Sequence, residues 1–239
     1  MDKSLHKPSR RELLRLALAG GVAGIAGTGP AWAQQSDGKK AEDLVTECAL
    51  AIEEMLAAKG EPALKHLSTY IERARAVMIY PAIFKGGFII GGEGGSGVLL
   101  AKGVDGSWSS PAFYTLAGGS IGLQIGGQVS KVCFTVMTDG GLDAILQNNV
   151  KFGGDLSVAV GPFGAGTEAS TTTNLDADVY SFSSAVGLFG GGSLAGAAMI
   201  VRESFMQGYY GQAVTARQIV VERKFSNPQA NRLRGALAV

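Results

Sequence analysis

Metal ligands and nucleophile partners are scarce in this sequence. It holds two histidines and two cysteines among 239 residues, and beyond residue 33 only His66, Cys48 and Cys133 remain. Placed singly, they make none of the Cys/His spacings that hold zinc. An oxidising compartment would permit a disulfide. Cys48, however, falls on the apolar stripe of a predicted helix, where a free cysteine behaves as a small hydrophobe. Two free, buried thiols are therefore expected. A basic excess is missing as well. Five of the 21 Lys/Arg and two of the 20 Asp/Glu lie in residues 1–33, which leaves 16 against 18, a net of −2, for the remaining 206. That balance excludes a nucleic-acid-binding surface. There is also no apolar run of the roughly 20 residues a membrane-spanning helix needs. Leu16–Gly29 is short, glycine-rich and closed by Pro30.

What is abundant is glycine, at 36 residues, about twice the average usage. The pattern is otherwise that of one globular domain, since a chain of this size buries a good core.

Residues 1–33 read as an address. Lys3, Lys7, Arg10, Arg11 and Arg15 precede the weakly apolar run, and Ala31-Trp32-Ala33 has the small-x-small form of a signal-peptidase site. The pair Arg10-Arg11 suits twin-arginine export. Cleavage after Ala33 and a periplasmic or otherwise exported product are expected; an uncleaved membrane anchor is the alternative. Residues 34–40 read as a polar linker and 41–239 as a single domain.

Within that domain, Leu44, Cys48, Ala51 or Ile52, and Met55 space a helix over 41–58, with acidic residues in its first turn to suit the helix dipole. A second helix is expected over 63–74. From Val77 the period becomes two. Ile121, Leu123, Ile125 and Val129 alternate with polar residues and glycine, and after Lys131 the phase slips to Val132, Phe134 and Val136, which fits a bulge or bend. Residues 150–160 alternate as one strand, and another strand pair covers 177–188 and 193–201. Short helices fit 138–147, 202–210 and 228–237. Recurrent glycine pairs at 118–119, 153–154 and 191–192 imply bends or close backbone contacts. The fold class is α+β: a curved, mostly antiparallel, glycine-rich sheet or barrel-like body with N- and C-terminal helices packed on it.

Three motifs invite a catalytic or ligand-binding reading. Gly92-Glu93-Gly94-Gly95-Ser96-Gly97 matches G-x-G-x-x-G, but a dinucleotide site needs a helix after the loop. Here Val98–Lys102 is too short and is followed by an Asp105-Gly106 turn, so the stretch reads as the glycine-rich connection of a β-hairpin. Gly118-Gly119-Ser120-Ile121-Gly122 matches G-x-S-x-G, but Ser120 starts a strand rather than a strand-to-helix elbow. A hydrolase pairing Ser120 with His66 is the remote alternative. Asn174-x-Asp176-x-Asp178 lacks the glycine and the later Glu of a calcium loop. No catalytic residues, metal or cofactor are expected, and the chain reads as a non-enzyme.

A series of short motifs resembles the SYLF domain: residues 74–81 (ARAVMIYP), 85–92 (KGGFIIGG), 95–99 (GSGVL), 108–112 (WSSPA), 126–128 (GGQ), 159–162 (AVGP), Glu168-Ala169, 180–183 (YSFS), 187–191 (GLFGG) and Tyr210-Gly211. They run in order from about Ala41 to the C-terminus. The resemblance implies a non-enzymatic lipid-binding module. Eukaryotic members bind phosphoinositides, act at membranes and on actin, and use a basic amphipathic N-terminal segment, whereas the first helix here is acidic. Candidate head-group contacts are Lys65, Arg73, Arg75 and Lys85 near the helix-to-strand junction, and Arg217, Arg223, Lys224, Arg232 and Arg234 towards the C-terminus. The expected partner is a lipid or membrane surface; the alternative is a structural or protein-interaction scaffold of the envelope, with an envelope protein as partner.

Overall fold

A computed structural model describes residues 31–58, 60–147, 150–161, 177–184 and 197–239, with the side chains of 31–35, 85–91 and 120–127 outside the description. Helix α1 runs Ala31–Ala57 and α2 Leu67–Arg73. Two long strands follow, β1 at Ala76–Ala101 and β2 at Ala112–Val136. After them come α3 (Asp139–Leu146), β3 (Val150–Lys151), β4 (Val158–Val160), β5 (Val179–Ser183), β6 (Ala198–Val201), α4 (Glu203–Tyr210), α5 (Ala216–Val220), a 3-10 turn (Pro228–Ala230) and α6 (Asn231–Ala236). The sheet order is β3-β6-β2-β5-β4, with β1 on β2. Every pairing is antiparallel except β4 with β5. The fold is α+β, with helices at both ends of the chain packed on a curved sheet.

The 26-residue β1 bends back on itself. The Lys102 amide donates to the Arg75 carbonyl over 2.8 Å, while the Arg75 amide donates to Val136 over 2.8 Å. Gly95 and Gly97 serve this bend. A Cβ on Gly97 would stand 2.5 Å from the Ile79 carbonyl oxygen and 2.6 Å from the Tyr80 ring, and one on Gly95 would collide with the Ala82 carbonyl. The stretch is therefore not the connection of a hairpin, as its glycines suggest, but the middle of a strand whose two halves pack face to face. The hairpin turn lies further on, at Gly103–Ser107, where Gly106 takes φ +78°.

The phase slip at Lys131 has its counterpart in the partner strand. Tyr80 pairs with Val132 and Ile83 with Ser130, so Pro81 and Ala82 stand opposite Lys131 alone. This is a bulge, and a proline is tolerated at such a point because no ladder hydrogen bond is lost. Residues 150–160, read as one strand, are two: Gly153 (φ +79°) turns the chain, and its amide bonds the Leu156 carbonyl over 2.9 Å.

Helix α1 starts ten residues before the expected position, so residues 34–40 are helical and the acids lie mid-helix, with none in the first turn. Two features offset the helix-breaking tendency of Gly38. Lys39 pairs with Asp43 over 2.8 Å and Lys40 with Asp37 over 3.5 Å. Gly38 itself lies against Gly208 of α4, where a Cβ would meet the Gly208 carbonyl oxygen at 2.8 Å. Further along, Leu44, Val45, Cys48, Ile52 and Met55 enter the core. Cys48 donates to the Ile79 carbonyl over 3.4 Å. Both thiols are free and buried, and burial pushes Cys48 well up and Cys133 to about 12. Edge-on ring pairs such as Tyr80–Phe134 (5.8 Å) and Phe113–Tyr209 (5.1 Å) fill the interior, each adding about 0.5–1.5 kcal/mol beyond area burial.

Candidate functional site

The polar side chains drawn together by the fold are mostly bracing. Asp178 accepts from Thr138 Oγ1 (2.7 Å), Ser157 Oγ (2.7 Å) and the Ser157 amide (3.3 Å). The Ser157 and Thr138 hydrogen bonds hold its carboxyl below the usual carboxylate range. Thr138 is also the N-cap of α3, accepting from the Gly141 amide, so Asp178 ties that helix to the β4–β5 pair. Asn174 and Asp176 lie outside the described residues. Among the described residues, no group of three His, Cys, Asp or Glu could hold a metal. His66 sits at the N-cap of α2 without capping it, and Ser120 lies inside β2, not at an elbow.

Most of the candidate basic residues of the two groups already have partners. Arg75 pairs with Asp139 (3.2 Å), Arg217 with Asp143 (2.8 Å), Lys224 with Glu222 (2.6 Å) and Arg232 with Glu53 (2.7 Å). Arg234 donates to Asn231. Arg223 takes φ +52° and clamps the β1–β2 turn, donating to the Ser107 hydroxyl and carbonyl, each over 2.7 Å, and to the Ala101 carbonyl over 3.4 Å. Lys65 and Arg73 are exposed on α2 and the turn before it, with Arg73 in the last helical turn, where a cation suits the dipole. The side chain of Lys85 lies outside the description. Arg10 and Arg11 precede the described residues, and Ala31 and Ala33 fall in the first turn of α1.

A different surface stands out. Phe84 and Val129 are directly opposed across the β1–β2 ladder, and they remain 62% and 57% exposed. Beside them opens a groove of about 620 Å³, walled by Leu44, Pro81, Ala82 and Phe84 and reaching Ser96 and Arg202. Arg202 precedes α4. Its Nη1 donates to Ser96 Oγ over 2.8 Å, and its guanidinium lies 3.4 Å from the centre of the Phe205 ring. Burial lowers its pKa. The exposed Glu47 stands at the rim. Sequence reading did not single out this set. The phase slip carried part of the signal: β2 is regular through Lys131 while the bulge lies in β1, so Val129 must face away from Val132, Phe134 and Val136.

Residues 117–239 match the Ysc84 family, described as Las17-binding protein actin regulators. The chain belongs to the Ysc84 family. Its SYLF-like motif series is thereby accounted for. The SH3 domain-containing YSC84-like protein 1 of Bos taurus is 34% identical over 151 residues, 63% of this chain and 44% of that protein. LAS seventeen-binding protein 3 of Saccharomyces cerevisiae is 33% identical over 156 residues, 64% of this chain and 34% of its own. Protein YSC84 of the same yeast is 31% identical over 166 residues, 68% of this chain and 35% of its own. This Ysc84-family chain thus spans less than half the length of these relatives. The first two are named as an SH3-domain protein and a binding protein, not as enzymes.

Proposed function

We propose that this Ysc84-family domain is a non-enzymatic lipid-binding module that works at a membrane surface, exported to the cell envelope by its twin-arginine-type leader. The observation that carries the reading is the cross-strand pair Phe84–Val129, two large apolar side chains left in water beside a groove with apolar walls. Exposed apolar surface of this kind is characteristic of membrane or protein contact. Positions 84–92 and 118–131 hold Lys85 and Lys131 and no Asp or Glu, so these strand segments carry nothing that an anionic surface would repel. No helix among the described residues is long and apolar enough to cross a membrane. The test is flotation of the purified protein with vesicles of phosphatidylcholine, with and without phosphatidylglycerol, and of extracted envelope lipids. Co-flotation is expected. Its absence with every lipid would leave the second reading.

That second reading is a protein-binding scaffold, and it draws on the relatives' names, which record Las17 binding. Under it the same apolar pair would bury against a protein, and a native mass spectrum of the purified domain would show no co-purifying lipid.

A further inference from the structure

A surface that only pressed apolar side chains into a bilayer would have no need of a guanidinium in its groove. Arg202 is held there at a cost. Taking the charge partly out of water disfavours it, and among the described residues no carboxylate pairs with it. Its contacts are one hydrogen bond to Ser96, stacking on Phe205 and a weaker long-range attraction to Asp37. One hydrogen bond uses one of the five N–H donors that an arginine carries. The Ser96 bond and the Phe205 ring fix the plane of the fork, which is the preorganisation that bidentate phosphate recognition requires. The apolar wall beginning at Phe84 lies in the same groove as this cation. A volume of about 620 Å³ falls within the roughly 300–1,000 Å³ of small-molecule sites.

We propose that Arg202 is the head-group contact of an anionic phospholipid. Its phosphate meets the guanidinium, and its glycerol and upper acyl carbons lie along Pro81, Phe84 and Val129. Ser96 acts as a positioning residue. This assignment rests on the lipid-binding reading above, and the experiment separates the two.

The wild-type protein, Arg202→Gln, Arg202→Lys, Ser96→Ala and Phe84→Ser are titrated with phosphatidylcholine vesicles with and without phosphatidylglycerol, with thermal melting as the check on folding. The wild type is expected to prefer the anionic vesicles. Arg202→Gln loses about tenfold of that preference, equivalent to about 1.4 kcal/mol, while keeping its binding to phosphatidylcholine. Arg202→Lys and Ser96→Ala fall between. Phe84→Ser weakens binding to both compositions alike. A folded Arg202→Gln protein with undiminished preference overturns the assignment and leaves lipid binding standing. Wild type that binds neither vesicle overturns both. Should Arg202→Gln not fold, Phe84→Trp keeps the groove intact and reports on it directly. Its added fluorescence should shift to the blue, saturably, with soluble short-chain phosphatidylglycerol and not with the phosphatidylcholine analogue. An equal response to the two would overturn the head-group assignment.

Discussion

The carbonyl oxygen of Ile79 stands 2.5 Å from where a Cβ on Gly97 would sit, although the two residues belong to the same strand. Crowding, not a special backbone angle, fixes glycine here, since Gly97 is not among the positive-φ glycines. Gly94, immediately before Gly95, has its nearest neighbour at 3.4 Å. Gly97→Ala and Gly95→Ala are therefore expected to lower Tm by roughly 2–10 °C, from an overpacking cost of about 1–3 kcal/mol. Gly94→Ala should change it little. Thermal melts of the three variants test this, and equal effects at all three positions would contradict the folded-back strand.

Asp178 gives a pH signature. Its folded-state pKa is depressed, first by the Ser157 hydroxyl and then by Thr138. A depressed carboxyl stabilises the fold fully above its unfolded value, near 3.9, and loses that contribution as pH falls through the folded value. Asp178→Asn should melt below wild type at neutral pH by a gap that holds down to about pH 4 and narrows below it. A gap that stays constant into strong acid would remove the charge from the explanation.

Arg217, Arg223 and Lys224 stand near one another in sequence but do different things. Arg223 holds three acceptors of the β1–β2 turn, whereas Arg217 and Lys224 make exposed ion pairs, which are usually worth little. Arg223→Gln alone should lower Tm measurably. Arg217→Gln with Lys224→Gln should leave both Tm and vesicle binding near wild type. A large loss of binding in the double variant would restore a C-terminal basic patch as the lipid contact.

Export is tested in a bacterial host that has the twin-arginine route. Arg10→Lys with Arg11→Lys should leave precursor in the cytoplasm, and N-terminal sequencing of exported wild type should begin at Gln34. An intact Met1 on exported protein would argue for an anchor rather than a cleaved leader.

The curved antiparallel sheet, the helices at both ends and the buried free thiols were legible from hydrophobic period and glycine placement. Helix α5 was missed although Thr215-Ala216-Arg217-Gln218 spells a capping box, which the structure forms. Five residues are too few for periodicity to register. The start of α1 is hidden because Ser36-Asp37-Gly38 before two lysines looks like a linker, and the Gly208 contact that rewards Gly38 is 170 positions away. The same limit hid the groove. Ser96, Arg202 and Phe84 come from three places in the chain, and only the bend in β1 brings them together.

The meeting of Lys102 with Arg75 also bears on the order of assembly. That hydrogen bond joins two ends of one strand, so neither end can be satisfied until the whole ladder between them has paired and curled. Contacts of such sequence separation are slow to form, because loop-closure entropy is spent before they repay it. The Lys102 amide therefore works as a clasp. It should be among the last groups of the ladder to gain protection from solvent exchange during refolding. A chain stalled before that point would show an open, glycine-rich ribbon to its neighbours, the kind of edge through which strands pair between molecules.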